Sequence, residues 1–281
     1  MKINKSQLTR GVGKYASLAF LSALFFVMVF PLLIILFTSF KTEGEYYANG
    51  PLALPKSIDL TMLSYTWKAT DYPRLLMNSA IISICAAFLA VGLSITTAYA
   101  LGIGKIKGRA LILLFFMMAM TLPAESLIYP AYYFFKTIKL YDSLLSVILL
   151  EAALSASFGT YLLTSVFRSF DKSIIESAMI DGCNHLQILV RILIPLNLPS
   201  IAVLLVFFFV GVWNDFFIPL IMLISSKNYT VPVAMAMARG EHNVTVTLQS
   251  SAALLGVIPC IIFFILFQRS LTRGLTAGSI K

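Results

Sequence analysis

The chain has 281 residues, of which 59% are hydrophobic and only 12% charged, and its mean hydropathy is +0.90. Soluble proteins contain about 25% charged residues, so this composition excludes an ordinary soluble protein and predicts an integral membrane protein. The formal net charge of +9 is explained first by basic residues that flank apolar segments, not by nucleic-acid binding. The three cysteines are scattered and the two histidines lie far apart, so neither a disulfide framework nor a metal site is expected.

Six apolar segments long enough to cross a bilayer follow one another along the chain. The first follows a basic N-terminal tail, but it is too long for a signal peptide and has no small-residue cleavage site. The predicted spans are residues 15–40, 75–101, 110–128, 144–166, 200–224 and 251–268. No polar stretch between them is long enough to fold separately. We therefore expect an all-α integral membrane protein with a single transmembrane domain over residues 1–281.

The distribution of basic residues predicts the orientation of these spans. Lys and Arg are more numerous in the N-terminal tail, in residues 105–109, in residues 171–199 and at the C-terminus than in the alternating segments. Basic residues are retained on the cytoplasmic side of a membrane. We therefore expect a multi-pass protein of the cytoplasmic (inner) membrane, with both termini and residues 171–199 in the cytoplasm.

Residues 171–199 are the longest polar-containing interruption in the second half of the chain. Ser173 and Glu176 have the spacing of a capping box, which predicts the start of a short helix. That helix should run to about Asp181. Gly182 then supplies the left-handed conformation that commonly ends a helix.

A second short helix is predicted directly after this glycine. Asn184 is a candidate N-cap, and Gln187 follows three residues later. An apolar stripe at helical spacing follows: Leu186, Leu189, Val190 and Leu193. Pro195 and Pro199 then disturb the backbone before the next apolar run. The segment is thus a helix, an elbow and a second helix, which suits either an ordinary capped loop or a docking element that lies on the membrane and faces a soluble partner.

Three motifs resemble the membrane subunits of ABC importers. The E-A-A-x-x-x-G…I-x-L-P loop of these subunits is matched by Glu176, Ala178, Asp181, Gly182, Ile192 and Pro195. Ser177 and Ile194 depart from this pattern by small or isosteric replacements. Residues 211–220 resemble the W-N-x-F-x-x-P-L segment of carbohydrate importer permeases, and residues 269–278 resemble the R-x-x-x-x-G-L-T-x-G ending of the same family.

The resemblance implies a permease subunit of an ATP-driven ABC importer for a carbohydrate. A second homologous permease would complete the pore, two ATPase subunits would dock on the cytoplasmic side, and an extracytoplasmic solute-binding protein would deliver the substrate. The residues that the resemblance assigns to ATPase docking are Glu176, Ala178, Asp181, Gly182 and Pro195. For Glu176, pairing with a basic ATPase residue and closure of a capping box both remain open. The solute also stays open between a sugar or oligosaccharide and a glycerol-phosphate-like compound.

The sequence contains no constellation of catalytic residues. It has no Gly-rich phosphate loop followed by Lys-Ser or Lys-Thr, no nucleophile elbow and no zinc-ligand pattern. We therefore expect that the chain is not an enzyme and binds no cofactor. ATP would be hydrolysed by a partner subunit.

Ionisable residues inside predicted spans are candidates for function. Glu151 and Asp215 qualify, and Trp213 and Asn214 adjoin the second of them. These four residues are the candidates for the translocation path, although hydrogen bonding between helices also explains the polar ones. An ion-coupled secondary transporter that uses the two carboxylates is the alternative function, but the sequence shows no internal repeat of the kind common in such carriers.

Overall fold

A computed structural model describes residues 5–104, 106–239 and 245–277, and each regular element in these ranges is helical. The α-helices are α1 (Lys5–Ser39), α2 (Glu43–Asn49), α3 (Thr61–Ala69), α4 (Tyr72–Gly102), α5 (Arg109–Thr121), α6 (Ala124–Thr137), α7 (Leu144–Arg168), α8 (Lys172–Ile180), α9 (His185–Ile188), α10 (Ile194–Leu196), α11 (Leu198–Asn214), α12 (Phe217–Met222), α13 (Val231–Arg239) and α14 (Val246–Ala277). A π-helix (Leu189–Leu193) joins α9 to α10, and a 3₁₀ turn (Ser226–Asn228) precedes α13. The expected all-α class is confirmed. The start of the basic N-terminal tail and Gly278 of the C-terminal motif lie outside the described residues.

Four helices are long and apolar enough to cross a bilayer individually: α1 from Lys14, α4, α7 and α14 as far as Gln268. Two bent helix pairs raise the number to six if each pair is one span. The first pair is α5 and α6, bent by 98°, and the second is His185–Leu196 with α11, bent by 80°. The described ranges therefore hold four candidate spans, or up to six if each bent pair counts as one span.

Neither of the predicted spans 110–128 and 200–224 forms a single continuous helix. α5 ends at Thr121 and the backbone at Leu122 is extended, because the residue before a proline is forced out of the helical region and Pro123 follows. α11 ends at Asn214, where Asp215 is also extended and its carboxylate accepts hydrogen bonds from the backbone of the next helix.

The chain divides into two compact units, residues 1–71 with 241–257 and residues 72–240 with 258–281. In the first unit the segment after α1 is fixed by a buried cation. The Lys41 ammonium donates to the carbonyls of Gly50, at 3.0 Å, and Pro51, at 3.2 Å. These carbonyls accept from two of the three donors of a charge that would otherwise be costly to bury.

In the second unit α4 and α7 pack closely through small side chains. A Cβ added to Gly159 of α7 would collide with the Ser94 hydroxyl of α4. That hydroxyl donates to the carbonyl of Ala90 at 2.7 Å and contacts the carbonyl of Ala156 at 3.3 Å. Small residues let transmembrane helices approach in this way. The buried side chains of α11 lie against the same pair, and this core holds the site described below.

One carboxylate ties the loop before α7 to the loop after α12. Asp142 Oδ1 accepts from the backbone N–H groups of Ile224, at 2.9 Å, and Ser225, at 3.0 Å, and its carbonyl accepts from the Asn228 amide at 2.6 Å. Burial opposes ionisation of Asp142, but the hydrogen bonds outweigh it and lower the pKa of its carboxyl to about 2. The two loops are therefore held together by a charged acceptor.

Candidate functional site

The first helix of the 171–199 segment begins differently from the prediction. Asp171 is the N-cap of α8, and its carboxylate accepts from the N–H of Ser173 at 2.9 Å. This backbone hydrogen bond lowers the pKa of Asp171 below its ordinary value. The expected capping box between Ser173 and Glu176 is wrong, because Ser173 already lies inside the helix and has no capping position to fill.

The elbow after α8 forms as predicted. Gly182 has φ +84°, in the left-handed region. Its N–H donates to the Met179 carbonyl at 3.1 Å, and the N–H of Cys183 donates to the Ala178 carbonyl at 2.9 Å. These bonds satisfy carbonyls at the helix end. A Cβ at Gly182 would meet no atom within 4 Å, so the position requires glycine for its backbone conformation and not for space.

The second capping box is confirmed. The N–H of Asn184 donates to Gln187 Oε1 at 2.8 Å, and the N–H of Gln187 donates to Asn184 Oδ1 at 2.9 Å. These reciprocal bonds fix the backbone immediately after the elbow.

The apolar stripe expected to follow is half wrong. Leu189 and Leu193 are buried, but Leu186 and Val190 are 68% and 51% exposed, and Ile188 is buried in addition. The reason is that Ile188 packs in the core cluster, so Leu186 and Val190, each two residues away from it, lie on the opposite side of the helix.

Exposed apolar side chains therefore flank the elbow. We call Met179, Ile180, Leu186 and Val190 the elbow surface; Ile180 is 86% exposed. Sequence reasoning did not single out Ile180, and it placed Leu186 in one apolar stripe with Leu189 and Leu193. Its position in the sequence could have indicated it, because Ile180 directly precedes the Asp-Gly elbow. Clustered exposed apolar residues of this kind mark interaction sites.

The five predicted docking residues separate into two groups. Glu176, Asp181, Gly182 and Pro195 are exposed, whereas Ala178 is buried in the core. The structure therefore places four of them where another molecule can reach them. Ala178 instead packs the segment onto the rest of the second unit.

Glu176 also lines a cavity of about 230 Å³ together with Arg109, Arg168 and Lys172. The cavity lies between α8 and the ends of α4 and α7. Three cations of the same chain thus line the cavity that this carboxylate also borders.

The elbow is anchored to the long helices. Ile175 of α8 and Ile188 of α9 are buried in one cluster with Ala98 of α4 and Phe167 of α7. Across the same boundary the Tyr99 hydroxyl and His185 Nδ1 are 2.8 Å apart in a hydrogen bond. The elbow is therefore packed directly against α4 and α7.

A second cavity, of about 330 Å³, brings together two of the predicted path residues. Glu151 of α7 and Asp215, at the end of α11, both line it, and their carboxyl groups lie within hydrogen-bonding range of each other. Glu151 is only 7% exposed, and its Oε1 atom has no hydrogen-bond partner. Asp215 accepts from the N–H groups of Phe217 and Ile218, each at 3.2 Å, and so caps α12 as well.

The other two predicted path residues do not line this cavity. The Trp213 side chain is buried in the core, and its ring stacks on Phe209 with centroids 5.7 Å apart. Asn214 is exposed, and its amide donates to the Val210 carbonyl of its own helix at 2.8 Å. The carboxyl pairing of Glu151 and Asp215 had no signal in the sequence beyond the position of both residues inside predicted spans.

Comparisons with known proteins identify the family. Residues 90–277 match the family described as "Binding-protein-dependent transport system inner membrane component". The chain is 31% identical to the sulfoquinovosyl glycerol transport system permease protein SmoH of Agrobacterium fabrum, over 90% of this chain and 89% of the relative. It is 29% identical to the arabinooligosaccharides transport system permease protein AraQ of Halalkalibacterium halodurans, over 91% and 92%.

The fold is also similar to that in a crystal structure of a bacterial ABC transporter involved in the import of the acidic polysaccharide alginate. The TM-score is 0.81 at 20% sequence identity, over 96% of this chain and 99% of that chain. Because the family match covers more than half of the sequence, the chain belongs to the inner membrane components of binding-protein-dependent transport systems.

Proposed function

We propose that the chain is the permease subunit of an ATP-driven ABC importer that carries a carbohydrate across the cytoplasmic membrane. Membership of a binding-protein-dependent transport family supports this proposal, as do relatives named for sugar-containing solutes. The chain has no phosphate-binding loop of its own, so the energy comes from a partner that hydrolyses ATP. Family membership favours this function over an ion-coupled secondary transporter.

The exposure of the elbow surface is the observation that supports the coupling mechanism. Its apolar side chains stand exposed on both sides of a rigid glycine elbow, which suits insertion into a cleft of an ATPase. Glu176, Asp181, Gly182 and Pro195 contact the ATPase in this proposal, and Ala178 holds the segment to the spans. Closure of the ATPase then moves the elbow, and the buried contacts of α8 and α9 move the long helices with it.

The assembly that we propose contains this chain, a second homologous permease, two ATPase subunits and an extracytoplasmic solute-binding protein. Both termini and the elbow lie in the cytoplasm, as the basic residues favour. Exposed apolar side chains along α1 and α5 supply surface for lipid and for the second permease.

In the same proposal the translocation path runs past Glu151 and Asp215. Trp213 acts indirectly, because its packing in the core fixes the end of α11 from which Asp215 projects. Asn214 closes that helix end through its bond to Val210 and leaves its exposed side to the path.

Co-purification from the native host tests the function. We expect the solubilised wild-type protein to bring down an ATPase and a second permease. Ile180→Asp should lose the ATPase but keep the second permease, because it places a charge in the elbow surface. Ile138→Asp is the matched control, since Ile138 is also exposed but lies outside the elbow.

The proposal fails if the wild-type protein purifies alone and supports solute uptake that responds to an ion gradient and not to ATP. It also fails if Ile180→Asp retains the ATPase in full, since the elbow would then not be the docking site.

A further inference from the structure

The cavity at Glu151 and Asp215 combines two kinds of surface. One is the carboxyl pair, which includes the unpartnered and almost fully buried Oε1 atom of Glu151. The other is aromatic, formed by Phe158, Phe207 and Phe208, whose ring centroids are 5.3 to 6.4 Å apart. Small-molecule sites characteristically place a few polar groups among apolar and aromatic walls.

This pairing of surfaces matches the chemistry of a neutral sugar. A carboxyl oxygen without a partner can accept a hydrogen bond from a sugar hydroxyl. The apolar C–H face of a sugar ring can pack on a phenyl ring. Gly211 lies beside the carboxyl pair in the cavity lining, and a Cβ there would meet nothing within 4 Å. The space is therefore open at the point where a ring would enter.

The charge of the cavity opposes anions. Glu151 and Asp215 are the two acidic residues of the cavity lining, and a carboxyl group contributes negative charge when it ionises. The lining residues, all of them in the described part of the chain, include no Lys, Arg or His to balance that charge. A cleft lined by one sign of charge between low-dielectric walls enriches the opposite sign and repels its own.

We propose that this cavity is a subsite for a neutral, hydroxyl-rich sugar unit, and that the Glu151–Asp215 pair excludes uronates and glycerol-phosphate-like solutes. This proposal depends on the proposed function, because only an importer would pass a solute through this cavity. It decides between the two solute classes that the sequence left open. The similar fold of the alginate transporter does not bear on it, because that likeness concerns the backbone alone.

A single cysteine in the cavity tests its charge without knowledge of the solute. Gly211→Cys would be made after Cys85, Cys183 and Cys260 are replaced by serine, and the full chain would be labelled in membrane vesicles. We expect a cationic methanethiosulfonate to react about tenfold faster than an anionic one, after normalisation to a free thiol. Combining Glu151→Gln with Asp215→Asn should bring this ratio close to one.

Ile138→Cys, made in the same cysteine-free chain, is the matched control, and its rate ratio should be the same with and without the two carboxyls. Equal labelling of Cys at 211 by both reagents in the native background would overturn the proposal. So would a cationic preference that survives the double substitution, because the field would then come from other groups. An unchanged rate ratio at 138 also shows that the double substitution acts on the cavity and not on labelling in general.

A matched pair of sugars tests the recognition. Methyl glucoside should slow the reaction of the cysteine at 211 with N-ethylmaleimide more than methyl glucuronoside does, and the difference should vanish in the double variant. Equal protection by the two sugars would contradict the proposed selectivity. These assays need no ATPase, so their failure is distinct from failure of the importer function, which the co-purification decides.

Discussion

Replacing Gly159 with alanine should loosen the contact between α4 and α7. The added Cβ would overlap the Ser94 hydroxyl, and it would lie 2.8 Å from the Ser94 Cβ and 3.0 Å from a Phe208 ring carbon. Overpacking of this kind costs about 1–3 kcal/mol, and the better helix propensity of alanine returns up to about 1 kcal/mol. We expect a net loss of about 1–2 kcal/mol, which lowers Tm by about 2–8 °C.

Thermal unfolding of the detergent-solubilised protein measures this change. Gly92→Ala is the matched control, because Gly92 also lies in a long helix but a Cβ there meets nothing within 4 Å. Adding Ser94→Ala to Gly159→Ala should recover part of the loss, since it removes the hydroxyl that the new methyl strikes. A Gly159→Ala variant that is as stable as Gly92→Ala would refute the close approach of α4 and α7.

Two further predictions concern the elbow and the Asp142 junction. Gly182→Val should abolish ATP-driven uptake while leaving the membrane yield unchanged, because a β-branched residue resists φ +84°; Gly44→Val, at an open position without positive φ, is the control. The depressed pKa of Asp142 means that its stabilisation is complete above about pH 4 and is lost as the pH falls towards 2. Asp142→Asn should remove that part of the acid-induced change in unfolding, as measured by tryptophan fluorescence.

Those features of the fold that depend on local sequence could be predicted. Hydropathy located the apolar segments, and Gly182 and the Asn184–Gln187 box placed the elbow, because each depends on a few adjacent residues. The breaks before Pro123 and at Asp215 do not follow from hydropathy, because hydropathy measures the composition of a window and not the continuity of its helix.

Features that depend on tertiary structure were not accessible in the same way. Leu186 faces outward because Ile188 packs in the core, and nothing in the local pattern shows which side of this short helix meets the long helices. The approach of Glu151 to Asp215 joins residues on different helices, so their sequence positions could mark each as a candidate but could not pair them.

The connection between the elbow and the cavity is α11. This helix begins just after the segment anchored by Leu193, with an 80° bend between the two, and its last residue immediately precedes Asp215. Asp215 faces Glu151 on α7, so a tilt of α11 driven from the elbow must change the separation of the two carboxyls and the opening of the cavity.

Nucleotide binding should therefore change the cavity. In the complex with the proposed ATPase, a non-hydrolysable ATP analogue should alter the rate at which N-ethylmaleimide labels a cysteine at 211. The same analogue should leave the rate at 138 unchanged, because that position lies outside the connection. In the Gly182→Val background the effect at 211 should disappear even if the ATPase still binds. If the labelling rate at 211 is the same with and without nucleotide in the intact complex, α11 does not carry the movement, whatever the elbow binds.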